Sequence, residues 1–494
     1  MLYVVLALPL LAACICFLPC SLKLREYVYA VTVVLVAAAA LLSVADYFIR
    51  GSWRMETVAG GLLVIDGFSC VLMLVIAVVG AACSLFAISY MKKEVADGHF
   101  ALKRTGMFYA LMQIFISTMY LSVLAGNIGL MWIAIEATTV VSALLVGFSS
   151  ERQALEAAWK YIVICTVGIA FAMLGIILVW YATGADASAG QSALSWTYLM
   201  AHAKGFDTSL LKLAFIFLLI GFGTKAGIFP LHTWLPDAHS QAPAPVSAML
   251  SGILLNCAVY AIIRCHMLMG AAGLGHYSGR LLIIFGLVSI VGAMPFTSVQ
   301  KDIKRLLAYS SVDHMGIILL GFGLGGTAGY TAAILHIMNH ALGKSVLFMS
   351  TGSVVQAYGT KMIYRIRGIG QMLPYTSVIL FAAMLAIAGS PPFGIFISEF
   401  KVAVRLFAVV GPVAGIVFLL ALAVVFSGFI YYCGKMFFSR LQHRYLLQDR
   451  EKFSIVHCLL IFPLLLLIMQ GTYIPAIFRS VISSIAGAML GGGA

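Results

Sequence analysis

Ionisable side chains inside long apolar runs are the first chemistry this sequence offers. Glu136 lies in NIGLMWIAIEATTVVSALLVGF, Lys225 in GFGTKAGIFPLHTWLP, and His336, His340 and Lys344 in TAAILHIMNHALGKSVLFMS. Glu399 follows the break in AGSPPFGIFISEF, and Lys160 stands at the head of the run EAAWKYIVIC, deep enough to join them. A charge at mid-bilayer costs about 2.5–3.5 kcal/mol on insertion scales, so each of these is a functional hypothesis by default. Desolvation disfavours the ammonium form of a lysine and a nearby carboxylate favours it again. A Glu136–Lys225 pair that opens and closes would therefore act as a proton valve. His336, His340 and Lys344 recur at i, i+4 and i+8, which places them on one face of a helix over about 12 Å of its axis. Imidazole titrates nearest neutral pH, so the stripe suits a water-linked proton wire with Glu399 at its end. The plainer alternatives are packing histidines at helix breaks and a structural ion pair between helices. A metal site built on H-x-x-x-H needs a third ligand that the sequence does not identify.

Other chemistries leave no trace. There is no P-loop and no strand–helix glycine fingerprint, so nucleotide binding has no motif. The ten cysteines include no C-x-x-C pair and no zinc, haem or cluster spacing. No cofactor is expected, and the chain must run on a gradient or on a partner.

The elements that hold these side chains are membrane spans. Of 494 residues, 63% are apolar and 10% charged, against roughly 25% charged in a soluble domain. Lipid must cover most of such a chain. The net charge of +13 sits in short loops, which fits the positive-inside rule and not nucleic-acid binding. A span needs about 20 apolar residues. Such runs lie at 2–20, 27–45, 66–90, 107–125, 128–148, 160–181, 209–229, 243–264, 281–297, 306–324, 328–357, 374–398, 402–432 and 453–478. The opening segment lacks a positive n-region and reads as a retained first span, not a signal peptide. Loops after odd-numbered spans carry most of the Lys and Arg, for example Lys92, Lys93, Lys103, Arg104, Lys301, Lys304 and Arg305. Those loops are assigned to the cytoplasm and both termini to the periplasm of a prokaryotic inner membrane. Asp66 opens the third span and reads as interfacial; His232 and His239 flank the TWLPDA turn and could line an inlet.

Spans seven and twelve are interrupted. Both breaks contain Gly-Ile-Phe, at 227–229 and 394–396, with Lys225 and Glu399 close by. Paired interrupted helices in two halves are the mark of an internally repeated transporter core. The chain divides into 1–106, two five-helix units at 107–264 and 281–433, and a final span at 453–480.

Two stretches, GTKAGIFPLHTWLPDAHSQAPAPVSAMLSGILL and QKDIKRLLAYSSVDHMGIILLG, resemble the antiporter-like subunits of respiratory complex I, of multisubunit sodium/proton antiporters and of energy-converting hydrogenases. The resemblance covers roughly residues 60–435. Within that superfamily, WIAIEATTVVSALLVGF, EAAWKYIVICTVGIA and SSVDHMG look most like the hydrogenase-4 component F group, part of formate hydrogenlyase-type complexes. The resemblance implies an all-α polytopic fold of about fourteen transmembrane helices with two inverted five-helix repeats. It also implies a proton relay whose fifth-span glutamate, seventh-span lysine, eleventh-span His/Lys stripe and twelfth-span terminal residue match Glu136, Lys225, His336, His340, Lys344 and Glu399. Other membrane subunits and peripheral hydrogenase or dehydrogenase subunits are the implied partners. One position departs from the pattern: many members carry Lys or His in the eighth span, where this chain has Asn256. Asn can hydrogen-bond a water but holds no charge, so the link from Lys225 to the histidine stripe would run through water. Proton translocation in a redox complex is the expected function. Sodium/proton exchange in an antiporter assembly and a transport-inactive membrane anchor are the rivals.

Overall fold

A computed structural model of the chain describes residues 1–18, 21–51, 55–184, 193–440 and 450–490. The last two residues of the first expected span lie outside them. The first half of the bundle comprises α1 (Leu2–Phe17), α2 (Leu22–Arg50), α3 (Gly67–Ala96), α4 (Arg104–Leu124), α5 (Ile128–Val146), α6 (Arg152–Ala182), the short α7 (Trp196–His202), α8 (Thr208–Ala226), α9 (Leu235–Gln241), α10 (Ala244–Met249) and α11 (Leu255–Ala271). The second comprises α12 (Gly275–Ser298), α13 (Ile303–Gly323), α14 (Gly326–Tyr358), the one-turn α15 (Ile369–Met372), α16 (Pro374–Ile387), α17 (Gly394–Val409) and α18 (Pro412–Phe437). Helices α19 (Ile455–Thr472) and α20 (Ala476–Leu490) follow. A small hairpin pairs Glu56–Val58 with Leu63–Ile65. Among the described residues, 12 spans are long and apolar enough to cross a membrane. The shorter α1 and the interrupted pair α16–α17 complete the fourteen expected from sequence.

Burial inverts the rule for water-soluble bundles. The central stretches of α14 and of the α10–α11 span are wholly buried and that of α13 nearly so, whereas α12, α18 and α19 turn much of their surface outward. The outward faces are apolar, as lipid requires, and the polar residues collect on the central helices. Helix α14 packs against α13, α16, α17, α19 and α3. Its histidines and lysine therefore point at protein on every side.

Both expected interruptions are present. Helix α8 ends at Ala226 with Gly227 in the left-handed region, φ 71°. A Cβ at Gly227 would also lie 2.4 Å from Leu235 Cδ1, so only glycine fits this turn. The second break separates α16 from α17 across residues 388–393. The sequence boundary between spans twelve and thirteen, at 398–402, falls inside α17. The chain needs the 16 residues of α17, about 24 Å of helix, to finish crossing after the break, and α18 starts only at Pro412. Asp66 opens α3 as expected, but it is covered by protein and not by solvent. It is buried, caps α3, and pairs with Arg264 Nη1 at 2.5 Å. The eighth span runs on to Ala271, which puts Arg264 about two turns inside the bundle. The amphipathic α20, past the Ile474–Pro475 turn, has no counterpart among the expected spans; it packs on α14, α3 and α11.

Candidate functional site

Lys225 occupies the last turn of α8, where the freed carbonyls give the helix end its partial negative charge and favour a cation. The side chain is fully buried. Its Nζ donates to Thr139 Oγ1 at 2.8 Å and to the Tyr161 hydroxyl, and it lies 4.7 Å from the Tyr161 ring centroid. Tyr161 is itself tied to Ser142 Oγ at 2.7 Å and stacked on Trp234 at 4.5 Å between centroids. Trp234 Nε1 donates to the Thr224 carbonyl at 2.8 Å, which closes the first break. Glu136 is on α5 one turn before Thr139. Its Oε1 accepts from Thr166 Oγ1 at 3.1 Å, and Oε2 is buried without a partner. Among the described residues, neither Lys225 nor Lys344 has a carboxylate in ion-pair contact. The expected Glu136–Lys225 pair is thus open in this structure, with hydroxyls in the carboxylate's place.

Lys160 does not reach this buried group. Its side chain is 48% exposed and bridges Glu156 at 2.7 Å and Asp237 at 3.5 Å. Helix α6 begins at Arg152, eight residues before the expected start of the sixth span. Lys160 consequently sits at the mouth of a polar cavity of about 540 Å³ that Arg305, Asp302 and Lys361 also line. His239 lies under that cavity, beside the lining residue Ser240. It is fully buried with both ring nitrogens unpartnered, stacked on Phe348 of α14. Asn256 follows a π-turn at Leu250–Leu254. Its Nδ2 donates to the Gly252 carbonyl at 2.8 Å while Oδ1 is buried and unpartnered. The amide is tied to its own helix and bridges nothing to Lys225 or His336.

The second half holds a denser cluster. Ile387 is the last residue of α16, so its carbonyl is free of the helix ladder. His314 of α13 approaches this carbonyl with Nε2 at 3.1 Å and His336 Nε2 with Nδ1 at 2.9 Å. His336 Nδ1 then meets Ser398 Oγ of α17 at 2.9 Å. A carbonyl only accepts, so His314 carries its proton on Nε2 and neutral His314 accepts at Nδ1. His336 must then donate from Nε2, which leaves its Nδ1 as the basic atom. Ser398 also lies 2.8 Å from the Ile395 carbonyl. With His336 neutral, Ser398 donates to it. Once His336 takes a second proton, Ser398 accepts from it and donates to Ile395. One proton added to this row reverses one hydroxyl and nothing else.

Glu399 is buried beside this row, and single ligand atoms of His314, His336 and Glu399 lie within 4.8 Å of one another. All four nitrogens of the two imidazoles already have hydrogen-bond partners, so the trio has the character of a relay more than of an open metal site. The carboxylate rests against Gly389 of the break, φ 74°, where a Cβ would fall 2.1 Å from Oε2. His340 lies tilted against His314, 5.2 Å between ring centroids, with both nitrogens unpartnered. Lys344 donates to the Leu307 carbonyl at 2.7 Å and to Ser310 Oγ. Asp313, buried with Oδ1 unpartnered, completes the group.

The sequence singles out His336, His340, Lys344 and Glu399, and the structure brings His336 and Glu399 together. Sequence reasoning gives no role to His314, which joins α13, α14 and α16, nor to the hydroxyls of Thr139, Tyr161, Ser310 and Ser398. The signal for His314 is present in SSVDHMG: an Asp-His pair eleven residues into a buried helix.

Residues 125–430 match the family model described as NADH:quinone oxidoreductase/Mrp antiporter, transmembrane. The chain is similar to the hydrogenase-4 component F homolog of Methylacidiphilum infernorum, 40% identical over 349 residues, which covers 71% of this chain and 73% of that protein. It is 29% identical over 346 residues to hydrogenase-4 component B of Escherichia coli, covering 68% of this chain and 49% of that longer protein. A chain of the membrane-bound sulfane sulfur reductase, an archaeal respiratory membrane complex, shares its fold with a TM-score of 0.86 at 24% identity, over 99% of this chain and 97% of that one. The relatives are components of multisubunit membrane complexes. The chain belongs to the NADH:quinone oxidoreductase/Mrp antiporter family, as a multi-pass, antiporter-like membrane subunit.

Proposed function

We propose that Glu136, Lys225, the His336/His340/Lys344 stripe and Glu399 carry protons across a prokaryotic inner membrane in a redox-driven complex. The observation that carries this reading is the hydrogen-bonded row Ile387 carbonyl–His314–His336–Ser398, buried beside Glu399 at the second break. Peripheral hydrogenase or dehydrogenase subunits of the formate hydrogenlyase type supply the driving force, in keeping with the similarity to hydrogenase-4 components. The units 107–264 and 281–433 act as two repeats, each with its own break, and both termini face the periplasm.

In this scheme Glu136 closes on Lys225 when charge shifts in a neighbouring subunit and reopens to the hydroxyl-bonded state described above. On reopening, Lys225 passes a proton toward His340 and Lys344. Asn256 offers only a hydrogen-bonding amide on the way, so water carries the link. The proton enters the His314–His336 row at His336 Nδ1, and Glu399 releases it.

Inverted vesicles containing the whole complex, driven by formate or hydrogen, test the scheme with Lys225→Ala. Proton movement per turnover is expected to fall on the order of 10²-fold, the scale of one positioned proton-transfer group, while redox turnover persists. Unchanged proton movement per turnover would leave the membrane-anchor reading. The family also includes Mrp-type antiporters, so sodium/proton exchange is the second reading. It requires proton flux that depends on sodium in the absence of redox substrate.

A further inference from the structure

A groove of about 760 Å³ opens where α11, α13, α17 and α20 end and α12 and α14 begin, at the end of the bundle opposite the Lys160 cavity. Its charges are all of one sign. Arg280 and Arg405 line it beside His266 and His276, and among the described residues no carboxylate does. Neither guanidinium has an ion-pair or hydrogen-bond partner among the described residues, and Arg405 Nε is buried. Two helices begin here, α12 at Gly275 and α14 at Gly326. Neither has a side-chain cap or an acidic residue in its first turn. Helix starts carry partial positive charge and free N–H groups. Arg405 nevertheless rests against the start of α14, with Nη2 2.9 Å from where a Cβ of Gly326 would stand. Cations gathered at two uncapped helix starts are mutually repulsive unless an anion joins them. A largely buried side chain lines the groove as well. His266, 6% exposed, fixes Nδ1 on Ser278 Oγ at 2.7 Å and has no partner for Nε2 among the described residues.

The other walls are apolar and continue into the bilayer-facing surface. Ile284, Val409 and Val410 line the groove and are roughly half exposed. Such walls do not suit a free hydrated anion. They suit a molecule with an anionic head and hydrocarbon tails. We propose that this groove binds an anionic phospholipid, its phosphate held by Arg280 and Arg405 and an acyl chain laid along Ile284 and Val409. Guanidinium groups meet phosphate oxygens through paired, charge-assisted hydrogen bonds. The lipid would fasten the α14 end that leads to His336 without taking part in proton transfer.

The test is native mass spectrometry of the full chain with phosphatidylglycerol added, comparing the wild type with Arg280→Gln/Arg405→Gln. Retained lipid is expected to drop about tenfold, the equivalent of roughly 1.4 kcal/mol. Thermal unfolding runs beside it, with phosphatidylglycerol, phosphatidylcholine or inorganic phosphate as probe. Only phosphatidylglycerol should raise the wild-type midpoint, and the double variant should lose that rise. Equal lipid retention in the double variant overturns the proposal, as does equal protection by inorganic phosphate or by phosphatidylcholine. If the double variant does not fold, Arg405→Lys serves. It keeps the charge and loses the planar fork, so lipid affinity should weaken about threefold, and unchanged affinity overturns the proposal.

Discussion

Lys225 and Lys344 are both fully buried, both held by one hydroxyl and one further oxygen, and neither touches a carboxylate. Their surroundings otherwise differ. Around Lys225 the acceptors are the hydroxyls of Thr139 and Tyr161, with Ser142 behind them. A hydroxyl can turn and hand its own proton on, but at neutral pH it cannot hold an extra one. Around Lys344 stand His340, His314 and Asp313, with His336 and Glu399 farther along the same cluster, groups that can keep one. The breaks differ in the same sense. At the first, the Thr224 carbonyl is consumed by Trp234, and the turn is locked. At the second, the Ile387 carbonyl is handed to His314 and fixes its tautomer. The first half has the form of a station with one occupant, the second that of a conducting row. Two breaks with the same Gly-Ile-Phe signature thus present different groups to their surroundings.

Removing the nitrogens of the row should produce the largest effect. His314→Phe keeps the ring but leaves His336 Nε2 and the Ile387 carbonyl unpaired. Coupled proton uptake in vesicles should fall on the order of 10²-fold, and unfolding should become easier by about 1–3 kcal/mol. A variant that pumps normally would remove the distinction between station and row. Tyr161→Phe attacks the other side of the comparison. Lys225 retains Thr139 and loses one hydrogen bond, so proton uptake should slow about tenfold, with redox turnover as the control. Equal losses in the two variants would mean that the halves work alike.

Asn256→His sharpens the comparison by placing an imidazole between the halves. If water alone carries that link, a titratable group there should speed proton uptake about threefold, a gain worth well under 1 kcal/mol. No change would show that this crossing does not limit the rate. Lys160→Ala should alter proton uptake by less than about twofold, because its contacts are exposed ion pairs. A larger effect, measured in the same vesicles, would make the cavity at Lys160 part of the path.

Much of this molecule is written in the sequence. The fourteen spans, the two interruptions at Gly227 and Pro391–Pro392, and the short set of ionisable residues inside apolar runs can all be read there. The reason is that a bilayer imposes a length on every crossing and a cost on every internal charge. Those constraints act locally, residue by residue, and leave their mark in order along the chain. The contacts between helices have no such mark. That Lys225 rests on Tyr161 and Thr139, that Lys160 is drawn out to Asp237, that Asn256 turns back on Gly252, and that His314 of α13 joins His336 of α14 and Ser398 of α17 all depend on how the helices are rotated against one another. Rotation and depth are set by packing over the whole bundle, and only the tertiary structure decides them.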